Sequence, residues 1–259
     1  MCLLSFQLND HPTYKLVLMA NRDEEYKRPT APAAFWSDAP NIVAGRDLEQ
    51  FGTWLGVNKQ GKIAALTNYR DFTLPLTGEI SRGHIVSSFL QSDTDPQMFM
   101  EELHANKERY TGFNVLAGSA DELYYYSNIE QSIQSLSPGT YGLSNAFLDT
   151  PWPKVKKTKA LLQEHLKQHN VVDPDTLFAI MQRAETFPTE QLPDTGVGNE
   201  LESLLSSIFI ASTDYGTRCT TVVTIDKNDE VYFEERTYTN GSFSHANTFT
   251  FTIEKTSHS

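Results

Sequence analysis

Residues 1–25 read MCLLSFQLNDHPTYKLVLMANRDEE, and this stretch decides how the rest of the chain is read. Segments 2–8 and 14–19 are apolar-rich runs on either side of Asn9-Asp10-His11-Pro12, whose turn chemistry predicts a β-hairpin. The second run ends in Ala20-Asn21-Arg22-Asp23-Glu24-Glu25, and a dense polar cluster at a strand end commonly marks the edge of a site. Cys2 begins the first run. Removal of Met1, which precedes a small side chain, would leave Cys2 with both a thiol and a free α-amino group. A thiol has an unperturbed pKa of about 8.5, and an α-amine of about 7.7–8.0 suits a general base near neutral pH. Nucleophile and base would then share one residue.

Working outward, the 259 residues fit a single domain spanning 1–259 with a substantial core. A net charge of −12 disfavours a broad grip on nucleic acid or an anionic membrane surface. No stretch reaches the ~20 apolar residues of a membrane-spanning helix, and the N-terminus lacks the cationic region of a secretory signal. Cys2 and Cys219 do not form a disulfide framework, so a reducing, cytoplasmic setting is expected.

Further strands are predicted at 41–44, 53–58 and 62–67, 113–116 and 123–126, 207–211, 221–225, 231–233 and 248–253. The segment from Asn21 to Asp38 reads as a polar, Pro-containing loop. Helices are expected behind Ser81, behind Asp95-Pro96, from Pro153 to about Gln168, and after Asp173-Pro174. Hairpins at both ends flank helices in the middle, an order that suits α+β layers better than βαβ winding.

Several polar positions carry candidate chemistry. Arg22 is placed to orient a carboxylate or hold a thiolate, or to form a surface ion pair on a solvated turn. Asn68 and Asn145 are possible oxyanion donors, with ordinary turn or capping roles as the alternative. Arg218 falls at a strand start, where it and Cys219 would face opposite ways. His165 and His169 have i,i+4 spacing but no Glu between them, so a packed helix face is favoured over a metal pair. No Gly-x-Gly-x-x-Gly, phosphate loop or Gly-x-Ser-x-Gly elbow is present.

Taken in order, Met1-Cys2, Asn21-Arg22-Asp23-Glu24, Gly45-Arg46-Asp47, Gly52-Thr53-Trp54-Leu55-Gly56, Thr67-Asn68-Tyr69-Arg70, Gly112-Phe113-Asn114, Tyr141-Gly142-Leu143-Ser144-Asn145, Asp149-Thr150-Pro151-Trp152-Pro153-Lys154 and Tyr215-Gly216-Thr217-Arg218 resemble the NRDE family. This group includes the eukaryotic transport and Golgi organisation protein 2, and the resemblance runs nearly end to end. It implies an N-terminal-nucleophile hydrolase-like fold, a four-layer αββα sandwich, distantly similar to choloylglycine hydrolases and penicillin V acylases. In those enzymes an N-terminal Cys attacks a carbon–nitrogen amide. By motif, Cys2 matches the nucleophile, Arg22 and Asp23 the early charged pair, Asn68 and Asn145 the two Asn, and Arg218 the late Arg. One departure is plain: the early pair is adjacent here, whereas the hydrolases separate the two by two residues. Glu25 restores the spacing but not the residue, so the carboxylate facing the α-amine stays open among Asp23, Glu24 and Glu25.

The expectation is a hydrolase that cleaves an amide or acyl bond of a small molecule through Cys2, with no metal or organic cofactor. The alternative is a non-catalytic carrier of haem or an acyl-thioester on the same scaffold, in line with the haem and acyl-thioester metabolism associated with the family. A purely structural interaction protein comes third.

Overall fold

The computed structural model describes residues 2–71 and 78–254. Its strands are β1 (Cys2–Leu8), β2 (Tyr14–Glu25), β3 (Thr30–Phe35), β4 (Ile42–Asp47), β5 (Leu55–Asn58), β6 (Ile63–Asn68), β7 (Phe113–Gly118), β8 (Leu123–Ser127), β9 (Ile133–Ser135), β10 (Gly139–Leu143), β11 (Tyr215–Asp226), β12 (Glu230–Thr239) and β13 (Ser242–Thr252). The α-helices are α1 (Gly83–Gln91), α2 (Pro96–Ala105), α3 (Pro153–Gln168), α4 (Pro174–Met181) and α5 (Asn199–Ser206).

Successive strand residues point to opposite faces, and here both faces are covered. One sheet runs β10-β1-β2-β11-β12-β13 and the other β3-β4-β5-β6-β7-β8-β9, with antiparallel pairing throughout. Leu4, Phe6, Leu16 and Leu18 of the first sheet pack on Val43, Leu55, Val57 and Leu116 of the second, forming the central core. The alternate residues Leu3, Val17 and Met19 face outward onto Leu162, Leu177 and Phe178 of α3 and α4. Ile85, Val86, Phe89 and Met100 of α1 and α2 cover Ala64, Val115 and Tyr126 on the far face of the second sheet. The result is the four-layer αββα sandwich that the sequence predicts.

Several element boundaries differ from expectation, each for a physical reason. The polar segment 21–38 is not a loop: β2 continues to Glu25, and β3 follows at Thr30. β2 lies between β1 and β11, so its polar backbone and side chains find partners that a surface loop would lack. Pro32 is accommodated because β3 is an edge strand with a register shift between Ala31 and Ala34. α1 begins at Gly83 with Arg82 as its first flanking residue, and no side chain caps it; Ser81 instead lends its carbonyl to the His84 N–H. Asp95 does cap α2, accepting from the Gln97 and Met98 amides. The strand expected over 207–211 contributes only the bridge between Ala211 and Gly216, and the acidic helix α5 precedes it. β13 starts at Ser242, well before 248, because Asn240-Gly241 turns the chain with φ of 49° and 78°.

Among the described residues, no helix is long and apolar enough to cross a membrane.

Candidate active site

The hairpin of β1 and β2 puts Cys2 directly opposite Arg22, and β11 sets Cys219 on the other side of Arg22. Cys2, Arg22, Asp23, Glu24, Arg28, Asp47, Thr53, Trp54, Leu66, Asn68, Ser81, Arg82 and Gly83 line one cavity of about 140 Å³. Four of the six residues singled out in the sequence, Cys2, Arg22, Asp23 and Asn68, therefore meet at one place.

Arg22 is buried and held on three sides. Its guanidinium lies 4.2 Å over the Trp54 ring and donates to Thr30 Oγ1 at 3.1 Å. Glu24 and Asp47 approach it at 3.9 and 3.7 Å. The Trp54 ring reaches this position because residue 45 is glycine: a Cβ there would stand 2.3 Å from the ring. Asp47 ends β4 and also pairs with Arg28, whose other guanidinium nitrogen meets Glu49 at 3.0 Å. The Gly45-Arg46-Asp47 and Gly52–Gly56 motifs thus supply the wall that fixes Arg22.

Asp23 is 1 % exposed and takes a hydrogen bond from Thr217 Oγ1 at 2.7 Å. Burial raises its pKa above the ordinary carboxylate value, opposed by the charge of Lys154 and by the Thr217 bond. Lys154, from the Pro151–Lys154 motif, is itself buried, and burial lowers its pKa to about 8, with Asp23 opposing. Its ammonium donates to the Leu205 carbonyl at 2.8 Å. The Cys2 thiol is likewise pushed up by burial, with Asp23 adding to the rise and Arg22 opposing it. Cys219 is buried, and its thiol is held well above the ordinary range by burial and by Glu235.

Asn145 and Arg218 lie behind this cavity rather than on its surface. Asn145 Nδ2 donates to the Asn68 carbonyl at 2.8 Å, and the Asn145 carbonyl takes the Arg70 N–H at 2.7 Å. Ser144 Oγ reaches the Cys2 carbonyl at 3.2 Å. Asn145 therefore ties the end of β6 to the strand that flanks β1. Asn114 braces the same loop, donating to Thr67 Oγ1 and to the Ala146 carbonyl and accepting from Tyr125. Arg218 donates to the carbonyls of Glu25 and Arg28, at 2.8 and 2.9 Å, and so clamps the turn that carries Arg28 into the cavity.

Glu24, one of the three carboxylates left open by the sequence, also lines the cavity, together with Arg28, Asp47, Thr53, Trp54, Leu66, Ser81, Arg82 and Gly83, which the sequence did not single out as site residues. Asp47, Thr53 and Trp54 stood inside recognised motifs, but the lone cation of Ser81-Arg82-Gly83 had no local signature. His165 and His169 stack at 4.6 Å on α3, and among the described residues no cluster of three or more His, Cys, Asp or Glu is arranged to hold a metal ion.

Comparison with known proteins places this arrangement. The human Transport and Golgi organization protein 2 homolog is 35% identical over 276 residues, covering 98% of this chain and 100% of that protein. The Drosophila melanogaster Transport and Golgi organization protein 2 is 30% identical over 273 residues, covering 92% and 93%. Among solved structures, the C2A mutant of the conjugated bile acid hydrolase from Clostridium perfringens superposes with a TM-score of 0.54 over 100% of both chains, at 10% identity. That likeness is one of fold, and it is the N-terminal-nucleophile hydrolase fold. The family described as Transport and Golgi organisation 2 matches residues 1–240, and the chain belongs to it.

Proposed function

We propose that this protein is a cysteine-nucleophile hydrolase of a small-molecule amide or acyl bond. The observation that carries the reading is the convergence of Cys2, Arg22, Asp23 and Asn68 on one cavity within an N-terminal-nucleophile hydrolase fold. With Met1 removed, the Cys2 α-amine takes the thiol proton and Sγ attacks the substrate carbonyl. Asn68 holds the developing oxyanion. As the carbon–nitrogen bond breaks, the ammonium returns its proton to the leaving amine, and a thioester to Cys2 remains. Water, deprotonated by the same amine, then releases the acid and restores the thiol. Asp23 and Arg22 orient the N-terminus and the nucleophile, while Asn145 and Arg218 position Asn68 and the Arg28 turn. The chemistry needs no metal or organic cofactor, and a reducing compartment such as the cytosol keeps Cys2 as a thiol.

The test uses untagged, full-length protein. Its intact mass is expected to lack Met1, and incubation with a neutral activated ester is expected to add one acyl group to Cys2 in the wild type and none in Cys2→Ala. Turnover by Cys2→Ala, or a folded wild type that never acylates after Met1 loss, would overturn the reading. Haem titration checks the competing carrier: a Soret shift that vanishes in Cys2→Ala, without acylation, would replace hydrolysis by carriage.

A further inference from the structure

Three guanidinium groups line the cavity, and they are not equivalent. Arg28 is committed to Asp47 and Glu49, and Arg22 to Trp54 and Thr30 with Glu24 and Asp47 within 4.0 Å. Arg82 makes no ion pair among the described residues; one guanidinium N–H goes to the Gly112 carbonyl at 3.0 Å. An Arg side chain carries five N–H donors in a rigid fork, so most of this one is left to the cavity it lines. Burial depresses its pKa, and the charge of Glu24, which lies beyond ion-pair distance, only partly opposes this.

The segment is also fixed in place before any ligand arrives. The Glu79 and Ile80 amides both donate to the Arg109 carbonyl, and the Thr53 amide donates to the Gly83 carbonyl at 3.1 Å. Gly52 lies so close beneath Gly83 that a Cβ would stand 2.5 Å from its carbonyl carbon. An anchored guanidinium that faces a concave site and makes no direct ion pair among the described residues is a receptor for a planar anion, since the fork matches a carboxylate in two parallel hydrogen bonds.

We propose that Arg82 binds a carboxylate carried by the substrate, so that the cavity selects short acyl compounds with one free carboxylate. The proposal rests on the hydrolase reading and names the substrate class of that same site. A monoanion fits better than a phosphate dianion because Glu24 and Asp47 line the same walls. The acyl chain is short because the cavity, about 140 Å³, is close to the ~150 Å³ that accommodates a single benzene ring.

The test compares butyrate with its neutral isostere butyramide by ligand-observed NMR, using the full chain as wild type, Cys2→Ala, Arg82→Gln, Arg82→Lys and the surface control Arg183→Gln. Butyrate is expected to bind the wild type, Cys2→Ala and Arg183→Gln alike, at least about tenfold more tightly than butyramide. Arg82→Gln is expected to lose that preference and Arg82→Lys to keep part of it. Equal binding of the two probes to the wild type overturns the proposal, and that comparison does not depend on any variant folding. Unchanged butyrate binding by a folded Arg82→Gln, or tighter binding of inorganic phosphate than of butyrate, also overturns it. The hydrolase reading fails separately, through absent acylation of Cys2 by a neutral ester, because butyrate binding requires no reaction.

Discussion

Glu235 lies between the two sheets two residue pairs from the Cys2–Arg22–Cys219 row, since it pairs with Thr221 while Cys219 pairs with Thr237. It is 2 % exposed; one carboxylate oxygen takes the Ala33 N–H at 2.7 Å, and the carboxylate also accepts from the Cys219 thiol. Burial raises its pKa from 4.5 to about 6, against the Ala33 bond and the charge of Arg22. A carboxyl whose folded pKa is raised adds stability that is fully present below the unfolded value and lost as pH rises through about 6. Glu235→Gln keeps the acceptor for Ala33 and cannot ionise. Relative to wild type it is expected to gain about 2 kcal/mol between pH 4 and pH 8 in urea denaturation. A difference that stays constant over that range would show that Glu235 does not titrate in the fold. Legibility divides in the same way at this scale. Cys2, Arg22, Asp23 and Asn68 announce themselves through neighbours in sequence, whereas Glu235 and Arg82 owe their character to burial by distant parts of the chain, and no local pattern records that. Asn145 and Arg218 are visible in the sequence, but their hydrogen bonds are spent on backbone carbonyls, and only the packed structure reveals this.

Among the elements, α5 was the least visible and is held by the most costly interaction. Its Glu202 pairs with Arg70 at 2.9 Å, each side chain 3% exposed, and the guanidinium lies 4.6 Å from the Trp152 ring centroid. The second Glu202 oxygen accepts from the Thr195 amide at 2.7 Å and its hydroxyl at 2.6 Å. Glu202→Gln removes the buried carboxylate charge that faces Arg70, and a loss of about 3 kcal/mol in urea denaturation is expected. The double variant Arg70→Met, Glu202→Leu should recover part of that loss; no recovery would mean the packing of α5, not charge, is at stake. Asp-Pro made α2 and α4 legible by local stereochemistry, and α3 was legible from the stripe of Val155, Leu162, Leu166 and His169. α5 opens on Gly198 without a side-chain cap and is anchored by a residue more than a hundred positions away, so its cause is tertiary. β3 was hidden by Pro32, which an edge strand tolerates and a central strand would not.

At the level of the whole molecule, the αββα order follows from strands that are apolar on both faces and therefore need a layer on each side. β1 meets that requirement with Leu3 and Leu4, which serve different cores, whereas the layered order itself was implied by the family resemblance. The first residues of most chains fray unless tied down. Here they form a strand flanked by β10 and β2, with Leu4 opposite Leu143 on one side and Ala20 on the other. Freeing the N-terminus therefore means opening the sheet rather than peeling a tail. The amides of Leu4 to Leu8 are expected to exchange with solvent only at the rate of global unfolding, checked by native-state hydrogen exchange across a denaturant series; exchange through local opening would show β1 to be separable. Cys2, the proposed nucleophile, is then held by the same sheet. Inactivation by heat and loss of the fold should coincide in a single transition, and the position of the first strand becomes a gauge of the integrity of the entire protein.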